Sequence, residues 1–131
     1  MPSFDAIGIA GTSMSANRRW IDATADNMAN MNTVTSADGD AFQARYLEVA
    51  PAAAGQGVQV TTVQYGDAEG ILSYEPDHPE ANEDGYIRRP DIDMGVEMGN
   101  LIMAQRSYSL ASQVVDKAKT VYQAGIEIGR N

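Results

Sequence analysis

No cysteine occurs anywhere in the 131 residues, which excludes disulfides, thiolate nucleophiles and cysteine-bound zinc together. There is one histidine, His78, so neither a multi-histidine metal site nor a histidine relay can be assembled. Basic residues are few, nine against eighteen acidic ones, and the net charge is −9. A phosphate backbone demands a positive footprint, so no nucleic-acid partner is expected, and anionic lipid is disfavoured. No apolar run approaches the ~20 residues that span a bilayer, so no membrane insertion is expected. Met1-Pro2-Ser3-Phe4-Asp5 lacks the basic start and long apolar stretch of a cleavable secretion signal. Export, if it occurs, is expected to use another route. Glycine-rich phosphate loops are also missing, which leaves nucleotide binding without support.

The acid that is present is concentrated. Residues 67–97 hold ten carboxylates and only Arg88 and Arg89 as bases, the pattern of a solvated loop face or of a surface for a basic partner. An EF-hand counted from Asp77 fails because Pro79 falls at its second ligand position. The pairs Asp67/Glu69 and Asp91/Asp93 suit turns and helix starts, and nothing builds a pocket around them. No catalytic residue, metal, cofactor or small-molecule substrate is expected, and the chain reads as a non-enzyme.

The ends of the chain carry helical periodicity. Ser3 can cap a first helix, with Asp5 in its first turn. Phe4, Ile7, Gly11, Met14, Arg18, Ile21, Ala25 and Met28 alternate by three and four, a seam of period 3.5 broken only by Arg18. Asn30-Met31-Asn32-Thr33 should close the helix, and Asn27, Asn30 and Asn32 can serve as caps. After Pro90, Asp91 and Asp93 open a second helix. In it Leu101, Ala104, Tyr108, Ala111, Val115, Ala118, Tyr122 and Gly125 draw a matching seam, widened by Val114, Val121 and Ile128. The two seams can meet only if the helices run antiparallel.

Between them the character changes. Asp38-Gly39 can seat a tight hairpin, 42–49 and Val58–Tyr65 read as strands, and Ile71–Tyr74 adds a third. Alternation slips between Val60 and Val63, which suggests a bulge or a strand buried on both faces, and 75–85 with Pro76 and Pro79 reads as a loop. The expected fold is α+β: long N- and C-terminal helices forming an antiparallel coiled-coil-like hairpin around a small β-rich insert. Its expected divisions are an N-terminal helix at 1–32, the insert with its acidic loop at 33–92, and a C-terminal helix at 93–131.

Such a hairpin has no third layer. Ile9, Trp20, Met31, Ile102, Met103, Val121 and Ile128 lie off the main seams and would form a sticky strip unless other subunits cover them. Gly8, Gly11, Gly95 and Gly99 each cost about 1 kcal/mol against alanine in a helix, and they permit another backbone to come close. Methionines at 28, 31, 94, 98 and 103 gather near the helix ends facing the insert, as adaptable packing residues do.

Three runs carry a resemblance. Ala25-Asp26-Asn27-Met28-Ala29-Asn30-Met31-Asn32-Thr33 looks like an ANNLAN signature with a following threonine, matched at Asn27, Ala29, Asn30 and Thr33. Tyr74-Glu75-Pro76-Asp77-His78-Pro79-Glu80-Ala81, Asp84-Gly85-Tyr86-Ile87 and Pro90-Asp91-Ile92-Asp93 resemble YxPxHPxA…GYVxxPNxD. Glu97-Met98-Gly99-Asn100 and Ala104-Gln105-Arg106-Ser107-Tyr108 resemble EMxNxxxAxRxY, with Ser112 where asparagine is common. These are motifs of the flagellar axial (rod and hook) protein family, and the second run is that of its proximal rod subunits. Residues 34–70 match weakly.

The resemblance implies a structural subunit of the proximal rod, in the periplasmic part of the flagellar basal body. It would assemble helically with itself and with FlgB, FliE and FlgF, and transmit torque. It would leave through the flagellar export apparatus without a cleaved signal, its terminal helices ordering on assembly. Candidate subunit-interface residues are Ile7, Gly11, Met14, Ile21, Ala25, Asn27, Met28 and Asn30 in the first helix. In the second they are Leu101, Ala104, Arg106, Tyr108, Ala111, Val115, Ala118 and Tyr122. Two other readings stay open: a small acidic type III export chaperone, and a wall-glycan hydrolase acting through the acidic insert.

Overall fold

Two long helices bracket a small β region in the computed structural model, which describes residues 2–130. Helix α1 spans Pro2–Asn30. The side chains of Ser3 and Phe4, the expected cap and first seam residue, lie outside the described residues. Asn30 closes the helix: its Nδ2 donates to the Asp26 carbonyl at 2.9 Å, and the Thr33 N–H donates to the Asn30 carbonyl at 3.0 Å. Two carbonyls of the last turn thereby gain donors. Helix α2 spans Met94–Gly129 and begins where Asp93 accepts the Val96 N–H at 2.9 Å, an N-cap three residues after Pro90.

The insert forms two small antiparallel sheets. Strands β2 (Arg45–Pro51) and β3 (Val58–Tyr65) make a hairpin packed on α1, with a short 3-10 turn at Ala53–Gly55 in its loop. Pairing shifts after Glu48↔Thr62 to Val49↔Val60, so Thr61 is the extra residue of the expected bulge. Strand β4 (Ile71–Tyr74) pairs with β5 (Tyr86–Arg89), which in turn pairs with the two-residue β1 (Thr35–Ser36).

Several expectations need correction here. Asp38-Gly39 does sit in a turn, with the Gly39 N–H on the Ser36 carbonyl at 2.9 Å, but it seats no hairpin. Instead β1 crosses to β5, fifty residues away. Strand β2 starts at Arg45, not at 42, because Ala41 and Ala44 bond irregularly to Ala68 and Gly66 before the ladder begins.

The helices lie side by side and antiparallel. Asn27 near the end of α1 meets Glu97 at the start of α2, while Ala6 and Ala10 border Leu110, Ala111 and Val114 farther along. The face that α1 turns inward carries the buried Ala10, Ala16, Ala23, Thr24 and Asn27. The expected α1 seam is therefore rotated away from α2: Gly11, Arg18 and Ala25 are exposed, and Ile7, Met14, Ile21 and Met28 are half-buried on its flank. Alanine on the contact side lets helix axes approach closely, and the bulkier residues are displaced to the shoulder. On α2 the expected seam does face inward from Leu101 to Ala118, with Ala104 and Ala111 buried, whereas Tyr122 and Gly125 are exposed.

The core is thin. Among the described residues the buried apolar side chains are alanines together with Ile87, the one large apolar side chain fully buried. The chain exposes 8796 Å². A compact monomer of 14.0 kDa exposes about 6,700 Å².

Candidate assembly surface

The junction of α1, β2 and α2 is fixed by one amide. Asn27, 1% exposed, accepts the Arg45 N–H through Oδ1 at 2.8 Å and donates through Nδ2 to the Arg45 carbonyl at 3.0 Å. It thus pairs with the first residue of β2 as a neighbouring strand would. The same Nδ2 donates to Glu97 Oε2 at 3.2 Å, and Glu97 is 2% exposed. An ion pair between Arg45 and Asp26 closes the knot from outside. Nearby on β2, Tyr46 has its phenol pushed above the ordinary tyrosine value, first by burial and then by the negative fields of Glu97 and Asp91.

Outside this junction the helices present apolar rows to solvent. Val96, Met103 and Leu110 recur every seven residues along α2, and Val114, Val121 and Ile128 do the same one step over. All six are exposed, from 48% at Val114 to 78% at Ile128. Spaced by seven, seven, four, seven and seven, they lie on the heptad line one residue, or about 100°, from the row that meets α1, with Asn100, Ser107, Lys117 and Ala124 at its intermediate positions. The seam of α1 stands in the same relation to its own buried face. Each helix therefore has two adjacent seams, one turned to its fellow helix and an outer one beside it, exposed on α2 and half-buried at its large residues on α1. On α1, a Cβ added at Gly8 or Gly11 would meet nothing within 4 Å among the described residues, so no contact described within the chain requires those glycines.

A groove runs between the helices. Its wider part, about 460 Å³, is lined by Ile9, Ala10 and Ser13 of α1 and by Leu110, Ala111 and Val114 of α2. It continues past Ser13 and Ser107 to Trp20, where Leu47, Val49 and Val58 of the hairpin close it. The hairpin is seated there by Thr12, whose hydroxyl accepts the Val58 N–H at 3.1 Å and donates to the Ile9 carbonyl at 2.7 Å. At Gly57 (φ +101°) a Cβ would strike the Thr12 side chain, so the loop needs glycine at that point.

The acidic insert is organised by its own few bases. Arg88 donates from Nε and Nη2 to the Ala37 carbonyl at 3.1 and 2.7 Å and from Nη1 to the Glu69 carbonyl, and Arg89 pairs with Glu75 at 2.7 Å. Glu97 is buried, Glu75 is paired, and the other eight carboxylates of 67–97 are exposed. His78 Nδ1 accepts the Glu80 N–H at 3.1 Å and so shapes the loop. Tyr74 and Tyr86 stack edge-on with centroids 5.2 Å apart across β4 and β5. Among the described residues no cluster of three or more metal-ligating side chains occurs.

The candidate interface residues thus separate into groups. Ile7, Gly11, Met14, Ile21, Ala25 and Met28 lie on the outward seam of α1, and Arg106 and Tyr122 are exposed on α2. Leu101, Tyr108, Val115 and Ala118 are half-buried toward α1. Asn27, Ala104 and Ala111 are buried within the chain, and Asn30 is occupied in the helix cap. Sequence reasoning missed Glu97 as a buried partner of Asn27. It also missed the exposed Val96–Met103–Leu110 row, although seven-residue spacing from Val96 would have found it.

Comparison with known proteins gives two results. Residues 83–128, covering β5 and nearly all of α2, match the family described as flagellar basal body rod FlgEFG protein C-terminal. Over 99% of its length the chain is similar to flagellar basal-body rod protein FlgC of Salmonella typhimurium (31% identical) and of Yersinia enterocolitica (33% identical). The same protein of Bacillus subtilis is 25% identical over 99% of the chain. In all three the match covers 100% of the relative. The export-chaperone reading receives no support from them.

Proposed function

The chain belongs to the FlgC family of flagellar basal-body rod proteins, and on that footing we propose how it serves as a structural subunit of the rod. Its outward seams carry the function: other helices complete the coiled-coil-like packing that α1 and α2 begin. One observation carries this reading: beside a core made mostly of alanine, α2 exposes six large apolar side chains at heptad spacing, and α1 holds a second row whose large residues are only half-buried. Exposed apolar rows of this length mark interaction surfaces. The three parts of the chain divide the work, the helices at 1–32 and 93–131 packing along the assembly while the insert at 33–92 sets their spacing.

The finer placement follows from the proximal-rod motifs around His78. The subunit sits in the proximal, periplasmic rod, assembles helically with itself and with FlgB, FliE and FlgF, and passes torque along its helices. It arrives through the export apparatus without a cleaved signal. Ile7, Gly11, Met14, Ile21, Ala25 and Met28 form its lateral contact, with Arg106 and Tyr122 on α2.

The test is complementation. In flagellated cells lacking the chain, the wild-type copy restores swimming and co-purifies with basal bodies. Normal swimming in its absence, or recovery of the protein from the cytoplasm alone, would overturn the assignment.

A further inference from the structure

Each sheet of the insert keeps an outer edge open. In the hairpin, Asn27 takes both backbone groups of Arg45, so these face away from β3 and Arg45↔Tyr65 is a non-hydrogen-bonded pair. Alternation along the ladder then turns the N–H and C=O of Tyr65 and Val63 to the outer edge of β3. In the other sheet the Glu75 N–H donates to the Gly85 carbonyl at 2.9 Å, which makes Tyr74↔Tyr86 and Leu72↔Arg88 the non-hydrogen-bonded pairs. Tyr74 and Leu72 therefore turn their backbone groups to the outer edge of β4. Among the described residues nothing bonds to these outward groups. Strand β2, by contrast, meets α1 through Asn27 at Arg45 and beside Trp20 at Leu47 and Val49, and β5 is central in its sheet.

We infer that β3 of one copy pairs with β4 of a second copy, antiparallel, with Val63 opposite Tyr74 and Tyr65 opposite Leu72. The inference rests on the rod-subunit reading and adds a contact made by the insert, apart from the helices. Three observations select a second copy. The edges match: each offers two outward residues spaced by two, so this register makes four backbone hydrogen bonds and leaves none of those groups idle. It also gathers Val63, Tyr65, Leu72 and Tyr74, all exposed within the single chain, on one face as cross-strand pairs of aromatic and aliphatic side chains. Secondly, neither edge is guarded. Residues 49–66 and 70–74 contain no charged side chain in a chain of net −9, and β3 and β4 hold neither lysine nor proline, the residues that keep an edge single. Two copies of an acidic chain can meet there without bringing like charges together. Finally, a two-stranded hairpin is marginal alone, and the contact joins it into one sheet, β2-β3-β4-β5-β1, running across two copies. Because β3 and β4 are unlike, the pairing does not close as a two-fold dimer does. Each copy keeps one edge for the next neighbour, and the contact extends.

The cysteine-free chain allows a direct test. Two copies with tags of different length, one Tyr65→Cys and the other Leu72→Cys, are expressed together in cells lacking the chain, and isolated basal bodies are mildly oxidised. Opposed residues of a hydrogen-bonded antiparallel pair lie about 5.5 Å apart at Cα, within disulfide reach, so the mixed dimer is expected at least about tenfold above either homodimer. Val63→Pro removes one outward N–H and no ladder bond of its own chain. Added to the Tyr65→Cys copy, it should bring the mixed dimer down to the homodimer level in basal bodies that contain it. Monomer alone, in basal bodies that hold both cysteine copies, would overturn the β3–β4 contact and leave the rod assignment standing. Homodimer from Tyr65→Cys at the yield of the mixed dimer would replace it with symmetric pairing of β3. A mixed dimer that survives Val63→Pro would overturn the backbone pairing. Absence of the wild type from basal bodies would remove the rod assignment itself.

Discussion

Asn27 and Glu97 stand seventy positions apart, yet the amide of one donates to the carboxylate of the other at 3.2 Å with both side chains almost wholly out of solvent. Through that contact the end of α1, the start of β2 and the first turns of α2 become one unit.

Asn27→Ala strips donors and acceptors from the Arg45 backbone and from Glu97 at once. Each buried polar group left without a partner costs about 1–3 kcal/mol, so the isolated variant should be destabilised by about 2–4 kcal/mol in chemical denaturation. Glu97→Gln keeps an acceptor for the Asn27 amide and should fall well short of that. Equal losses in the two variants would show that the knot holds by packing alone.

Stability should also fall at high pH through Tyr46. Its folded phenol is raised above the ordinary value, first by burial and then by Glu97 and Asp91, so folding favours the protonated form. The stabilisation is complete below the unfolded value of about 10 and is lost as pH rises through the folded one. Tyr46→Phe should flatten the decline in melting temperature above pH 10, and an unchanged decline would assign it to other groups.

Ala25→Asp and Ala111→Asp separate assembly from folding. Ala25 is exposed on the outward seam, so its aspartate variant should melt like wild type and yet fail to restore swimming. Ala111 is 8% exposed and faces α1, so its variant buries a charge and should lose at least about 2 kcal/mol before assembly is reached. Motility with Ala25→Asp would move the lateral contact elsewhere.

Gly11→Ala tests the glycine side of the same surface. Among the described residues no atom stands within 4 Å of the added methyl, so the isolated protein should gain about 1 kcal/mol in helix stability by circular dichroism melting. Swimming should nonetheless decline, because a neighbouring helix needs that space. A gain in stability with full motility would reduce Gly11 to an accident of composition.

Much of this architecture was legible in the sequence, and the failures have physical causes. Helix boundaries showed because Asn30 and Asp93 are capping residues placed at the ends of periodic runs. Val58–Tyr65 was readable as a β-branched strand, and its broken alternation located the bulge at Thr61. Strands β1 and β5 were not readable. They are two and four residues long, and Thr35 and Arg88 find each other only through the tertiary fold. The inward face of α1 was hidden for another reason: a search weighted toward large apolar residues picks Ile7, Met14, Ile21 and Met28 and passes over Ala10, Ala16 and Ala23. That search found the face turned outward, which is the surface proposed for neighbouring subunits.

The one-residue offset between the paired seams has a genetic consequence. Adjacent codons on either helix answer to different selections: Ala10 and Ala111 are read by whether a stable polypeptide accumulates, Gly11 and Leu110 by whether the accumulated polypeptide moves the cell. A saturation library scored separately for abundance and for swimming would show two waves of intolerance along each helix. The waves would share a wavelength of three and a half residues and run one residue out of phase.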